Sequence, residues 1–67
     1  MIQLSINGAA REFAESLSIA QMIVELELTG KRIAIERNGE IVPKSQYEQT
    51  ILQNGDVLEM VVAVGGG

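Results

Sequence analysis

Apolar and polar residues alternate over Ile2-Gln3-Leu4-Ser5-Ile6, the period of a strand with one buried face. Asn7-Gly8 follows, a pair that accepts positive φ at both central positions of a type I′ turn, so a hairpin is expected. The returning strand, Ala9 to Phe13, is poorly apolar. That places it at a sheet edge, with Phe13 turned inward. Ser18-Ile19-Ala20-Gln21 then fits a capping box, in which the Ser18 hydroxyl and the Gln21 side chain each satisfy an otherwise unpaired N–H. Ile19, Met22, Ile23 and Leu26 fall at i, i+3, i+4 and i+7 and make one apolar stripe of a helix, with Glu25 and Glu27 off it. Gly30 is placed to end the helix or its exit turn.

The second half repeats the strand signals. Ile33 to Arg37 predicts a strand, Asn38-Gly39 a second hairpin turn, and Glu40-Ile41-Val42 a short return that Pro43 stops. The polar stretch from Lys44 to Gln49 predicts an irregular or 3₁₀ turn. Tyr47 is expected to lay its ring over the core with its hydroxyl in water, and Ile51 and Leu52 to re-enter the core. Asn54-Gly55-Asp56 predicts a third turn, which launches a final strand from Val57 to Val64. That run is apolar enough to be read as buried on most of both faces. Its period-2 partition puts Leu58, Met60 and Val62 on one face and Val57, Glu59, Val61 and Ala63 on the other. If the single helix covers the first set, Val61 and Ala63 are apolar yet outward, and are candidates for docking a partner.

The predicted order is β-β-α-β-β-β, one helix packed on one face of a mixed sheet of about five strands, which is an α+β class. The first and last strands are the most apolar and belong at the sheet centre, parallel to each other, with the helix in the crossover. That is the β-grasp arrangement. A domain over residues 1–64 and a flexible glycine tail over 65–67 are expected.

Composition narrows the chemistry. Sixty-seven residues make one domain. A chain this short buries only about 60% of the surface its unfolded form exposes, and with no cysteine it has no disulfide to support it. There is no histidine either, so Ser5, Ser16, Ser18 and Ser45 have no activating base, and no catalytic residue and no metal site is predicted. Thr29-Gly30-Lys31 lacks the upstream glycine and the following Ser or Thr of a phosphate loop. The net charge is −4 and the five basic residues are scattered at Arg11, Lys31, Arg32, Arg37 and Lys44. With Phe13 and Tyr47 the only aromatic residues, nucleic-acid binding is not expected. An acidic protein of this kind suits a basic partner surface. Neither a signal peptide nor an 18-residue apolar run is present, so a cytoplasmic protein without membrane attachment is expected.

The informative stretch is Val61-Val62-Ala63-Val64-Gly65-Gly66-Gly67. Three glycines extend at most about 10 Å. Without side chains they thread slots that exclude other residues, and they carry a terminal carboxylate. A carboxylate is a poor electrophile, because it is anionic and its leaving group would be oxide. Joined to a nucleotide phosphate as a mixed anhydride, it becomes open to a sulfur or amine nucleophile. A tail that visits one enzyme for activation and another for transfer needs to be slim, flexible and terminal.

The length, this strand and glycine terminus, the segment from Ala34 to Lys44 and the Asn54-Gly55-Asp56 turn together resemble the ubiquitin-like sulfur carrier proteins of thiamine biosynthesis. The resemblance covers essentially the whole chain. A third glycine stands where some members have alanine. The terminal diglycine is shared with ubiquitin and other carriers, whereas the short length and the Asn-Gly…Val-Pro-Lys block favour the thiamine branch. The resemblance implies that the Gly67 carboxylate is adenylated with ATP by an E1-like adenylyltransferase. It further implies conversion to a thiocarboxylate with sulfur from cysteine through a cysteine desulfurase, and delivery to thiazole synthase for the thiazole ring. Gly66 and Gly67 carry over directly, with Gly65 as part of the tail. The chain is then a recycled co-substrate rather than an enzyme, with no bound cofactor of its own. Three alternatives stand beside this reading. They are the small subunit of a molybdopterin synthase, a protein-conjugating modifier whose tail ends as an isopeptide, and an interaction domain with an inert tail.

Overall fold

The computed structural model describes residues 1–63. The expected Val64 end of the last strand, the domain boundary there and the tail Gly65 to Gly67 lie outside the described residues. The elements are β1 (Ile2–Ile6), β2 (Ala9–Phe13), α1 (Ile19–Glu25), β3 (Arg32–Arg37), β4 (Glu40–Val42), a 3₁₀ turn (Lys44–Gln46) and β5 (Val57–Ala63). They form one five-stranded sheet in the order β2-β1-β5-β3-β4. β5 lies at its centre, parallel to β1 and antiparallel to β3.

The two hairpin Asn-Gly pairs make the turns their residue types favour. Asn7 and Gly8 have φ of 52° and 83°, and Asn38 and Gly39 have 52° and 89°. Only residues that tolerate the left-handed region reverse a twisted hairpin in two steps. The weakly apolar β2 takes the edge, and only Phe13 of it is buried.

The capping box forms as its sequence pattern requires. Gln21 N donates to Ser18 Oγ at 3.1 Å and Ser18 N to Gln21 Oε1 at 2.8 Å. Two further N–H groups at this end are met from the later loop: Ile19 N donates to Thr50 O and Ala20 N to Tyr47 O, both at 3.0 Å. A seven-residue helix is too short to be stable alone. It is held by these bonds and by the burial of Ile19 and Met22, while Ile23 and Leu26 are partly buried.

The helix ends before Gly30. Glu27 adopts φ 60°, its N–H donates to Val24 O, and Leu28 N donates to Ile23 O, each at 3.0 Å. This is a Schellman stop with glutamate at the left-handed position that glycine usually fills. Gly30, with φ 85°, serves the exit turn.

The core joins Ile2, Leu4 and Ile6 of β1 to Met22, Ile35, Leu52, Leu58 and Met60, with Phe13, Leu17, Ile19 and Tyr47 around them. Three expectations change here. β5 is buried on one face only, because one helix layer covers one side of the sheet and nothing among the described residues covers the other. Ile51 is 48% exposed, since its backbone bridges Ser18 while the next residue, Leu52, turns into the core. The Tyr47 hydroxyl donates to Ile33 O at 3.1 Å instead of standing in water, and burial pushes its pKa up.

Candidate functional site

The site is built around β5, the strand that leads to the glycine tail. Its first half is fixed from both sides. β1 pairs with it only at Ser5–Val57 and Ile6–Leu58. Beyond that point the Asn7 side chain takes over the role of a strand: Nδ2 donates to Met60 O at 2.9 Å and Oδ1 accepts from Met60 N at 2.6 Å. The Asn7 N–H also donates to Leu58 O at 2.9 Å. On the other side Asn38 does the equivalent for Val57, accepting from Val57 N at 2.9 Å and donating its own N–H to Val57 O at 2.7 Å. Each hairpin turn therefore places an amide against the central strand.

Asp56 joins this clamp to the preceding turn. One carboxylate oxygen, Oδ2, accepts from Arg37 Nε and from Gln53 N, both at 2.9 Å, and Oδ1 accepts from Asn38 Nδ2 at 3.2 Å. Burial alone would push the Asp56 carboxyl up. The Gln53 N–H, the Asn38 amide and the Arg37 guanidinium outweigh it and hold the group below its usual range. Arg37–Asp56 is the one salt bridge among the described residues. No buried side-chain nitrogen or oxygen in that set lacks a partner.

The second half of β5 is different. Val61 is 67% exposed, and Ala63 is exposed beside it. Both predicted docking residues thus stand on the uncovered sheet face. Neighbouring strands extend the patch: Ala34 lies opposite Val61, and the row Ile41–Glu36–Glu59 crosses the sheet just below. Ile41 is 68% exposed and Val57 50%. Glu36 and Glu59 are directly opposed, and like charges so placed repel. The surface is apolar with an acidic excess, since Glu36 and Glu59 outnumber Arg32 opposite Ala63, and it suits a partner that is apolar and basic.

Sequence reasoning placed Val61 and Ala63 correctly on this face and missed Ala34, Ile41 and the two amide clamps. Ile41 was readable only as part of a short return strand. The clamps join residues more than fifty positions apart in one case and nineteen in the other, and carry no local signal beyond the Asn-Gly turns. Gly65, Gly66 and Gly67 lie outside the described residues. Among those described, no group of His, Cys, Asp or Glu is placed to hold a metal ion, and no helix is long and apolar enough to cross a membrane.

This chain is similar to known proteins in sequence and, where a structure is solved, in fold. A chain described as thiazole synthase in Paramagnetospirillum magneticum is 44% identical over 66 residues, 98% of this chain, which spans only 20% of that longer protein. The sulfur carrier protein ThiS of Bacillus subtilis is 34% identical over 96% of this chain and 98% of its own length. The crystal structure of the thiamine biosynthesis protein ThiS from Geobacter metallireducens superposes with a TM-score of 0.82 at 28% identity. That match covers 98% of this chain and all of that one. The β-grasp expectation is borne out by that structure and by the five-stranded mixed sheet. The family model described as "ThiS family" matches residues 4–67, taking in both the clamped strand and the glycines after it, and the chain belongs to the ThiS family.

Proposed function

We propose that this protein is a sulfur carrier of thiamine biosynthesis whose working group is the α-carboxylate of Gly67, presented by β5 through Gly65 and Gly66. An E1-like adenylyltransferase joins the carboxylate to the α-phosphate of ATP and releases pyrophosphate, so that AMP becomes the leaving group. A sulfur nucleophile, drawn from cysteine through a cysteine desulfurase, displaces AMP. One carboxylate oxygen departs with the phosphate and a thiocarboxylate remains. Thiazole synthase takes that sulfur into the thiazole ring and the carboxylate is regenerated. The chain is consumed and restored as a co-substrate, in keeping with a sequence that has neither histidine nor cysteine. ATP belongs to the adenylating partner, and the cytoplasm is the compartment we propose for the cycle. The uncovered face with Val61 and Ala63 docks the enzymes that receive the tail.

The observation that carries this reading is the family match over residues 4–67, supported by the likeness to the B. subtilis carrier over nearly its whole length. A thiazole synthase that holds a similar stretch within its own chain favours the thiamine pathway over molybdopterin synthesis, and favours thiazole synthase as the acceptor. Intact-mass spectrometry of the protein made together with its adenylating enzyme tests the chemistry. The expected product is heavier by the difference between sulfur and oxygen, and alkylation at the C-terminus separates it from an oxidised methionine. High-mass adducts would instead indicate conjugation. Deletion of Gly67 is expected to abolish thiamine-independent growth of a strain that relies on this protein, and growth retained by that deletion would overturn the role given to the carboxylate.

A further inference from the structure

The covered side of the sheet carries a second, unassigned surface. A cleft of about 570 Å³ opens between the second half of α1 and the segment that enters β3. Ile23, Val24, Leu28, Ile33 and Tyr47 supply its apolar lining. Val24 is 63% exposed there, off the helix stripe, of which Ile19 and Met22 are buried and Ile23 and Leu26 partly buried.

The charge around this cleft is opposite to that of the molecule. The chain carries −4 overall, yet three of its five basic residues, Lys31, Arg32 and Lys44, line the cleft, against one of its nine acidic residues, Glu48. None of the three cations forms a salt bridge among the described residues. The cleft is also continuous with the strand that bears the tail. Ile33 lies opposite Val62, and Arg32, which pairs with Ala63 on the bare sheet face, also lines the cleft.

We propose that this cleft is a second docking site, which takes an acidic segment with interleaved apolar side chains from the thiazole synthase that receives the tail. The inference rests on the carrier reading for the identity of that enzyme. Charge decides the occupant. The bare face, with Glu36 and Glu59, calls for a basic surface, and the cleft calls for an acidic one. A partner that offers both signs in the right places meets the carrier in one orientation only, with the tail directed inward. Complementary potentials of this kind set orientation and association rate more than they set raw affinity.

The test is the Kd of the full-length protein for the purified thiazole synthase of the same organism, at low and at high salt. Lys31→Glu/Lys44→Glu is expected to raise Kd about tenfold or more, mainly through slower association, and to flatten the salt dependence seen with the wild type. Val24→Glu, which sets a repelling charge on the exposed apolar wall of the cleft, is expected to weaken binding in the same way. Circular dichroism confirms that each variant is folded, as exposed positions should allow. A Kd within about twofold of wild type for a folded Lys31→Glu/Lys44→Glu variant overturns the cleft as a docking site, as does a wild-type protein that does not bind the enzyme. The thiocarboxylate mass is read separately on the wild-type protein. Its absence overturns the carrier chemistry whatever the Kd comparison gives.

Discussion

From Val57 to Met60, β5 has neighbours on both sides: β1 and the Asn7 amide on one, β3 and the Asn38 amide on the other. From Val61 to Ala63 only β3 runs alongside, because the β1 register ends at Leu58 and the Asn7 clamp at Met60. Backbone groups alternate in direction along a strand, so those of Val62 point to the same side as those of Met60, where the pairing has ended. One strand thus begins as the most constrained part of the sheet and ends as one of its barest. A small domain with no disulfide puts its polar connections where the strand must not slip. A one-residue slip would turn Val61 inward and Leu58 outward and would misdirect everything that follows.

The sharpest way to break this comparison is to truncate one side chain from each half. Leu58 is fully buried, and Leu58→Ala is expected to destabilise the fold by about 2–5 kcal/mol through lost burial and the cavity left behind. Val61→Asp, three residues on, is expected to change stability by no more than about 1 kcal/mol, the span of strand propensities at an exposed site. It should nonetheless weaken binding to the enzymes that take the tail. Chemical denaturation and a binding measurement on the same two proteins check the pair. A folded Val61→Asp variant that binds with full affinity would remove Val61 from the docking surface.

The next test concerns the polar hub. Asp56→Ala leaves the Arg37 guanidinium, the Asn38 amide and the Gln53 N–H without their shared acceptor, and a loss of about 2–3 kcal/mol is expected. The same carboxylate predicts a pH dependence. Its folded pKa lies below the unfolded value, so its contribution is fully present above the unfolded pKa of about 3.9 and fades as pH falls through the folded one. Denaturation midpoints measured from pH 6 down to pH 2 should therefore fall less steeply for Asp56→Ala than for wild type in the acid range, about pH 4 and below.

Much of this design was legible along the chain, and what was not has a physical reason. Period-2 alternation gave β1 and the two faces of β5, and Asn7-Gly8 and Asn38-Gly39 gave both hairpin turns, since each signal is complete within a few residues. Ser18 and Gln21 announced the helix start for the same reason. The helix end was not legible, because Glu27 holds a left-handed conformation on the strength of two backbone bonds that no propensity reveals. Ile51 and Tyr47 were misread in detail. Which of two adjacent apolar residues enters the core, and what a phenol reaches, depend on strands that arrive from elsewhere in the sequence. Of the site, Val61 and Ala63 followed from parity. Asn7 and Asn38 were seen only as turn formers, and their second role exists only once β5 lies between the hairpins.

That second role can be measured at Asn7. Asn7→Gly keeps a residue suited to φ 52° and removes only the two side-chain bonds to Met60. A loss of about 1–2 kcal/mol is expected, because the freed backbone groups sit partly buried. Hydrogen exchange at the Met60 amide should quicken more than at Ile35 on the neighbouring strand, since the lost bonds lie on the β1 side only. Equal protection at both amides would mean that the clamp adds nothing beyond the turn.

The smallest expected effect lies on the bare face itself. Glu59 faces Glu36 across β5 and β3, and like charges in that position cost a few tenths of a kcal/mol. Glu59→Gln removes the repulsion at nearly constant shape, so a gain in stability of less than about 0.5 kcal/mol is expected, largest at low ionic strength. If the acidic pair serves a basic partner surface, the same substitution lowers the association rate with the tail-receiving enzymes while the fold improves. Rim charges act mainly on encounter, so the loss should shrink as salt is added. Stopped-flow association at two ionic strengths, set beside the denaturation midpoint, separates the two signs. A variant that gains stability with no change in association would leave the opposed pair as plain surface repulsion and confine docking to Val61, Ala63 and their apolar neighbours.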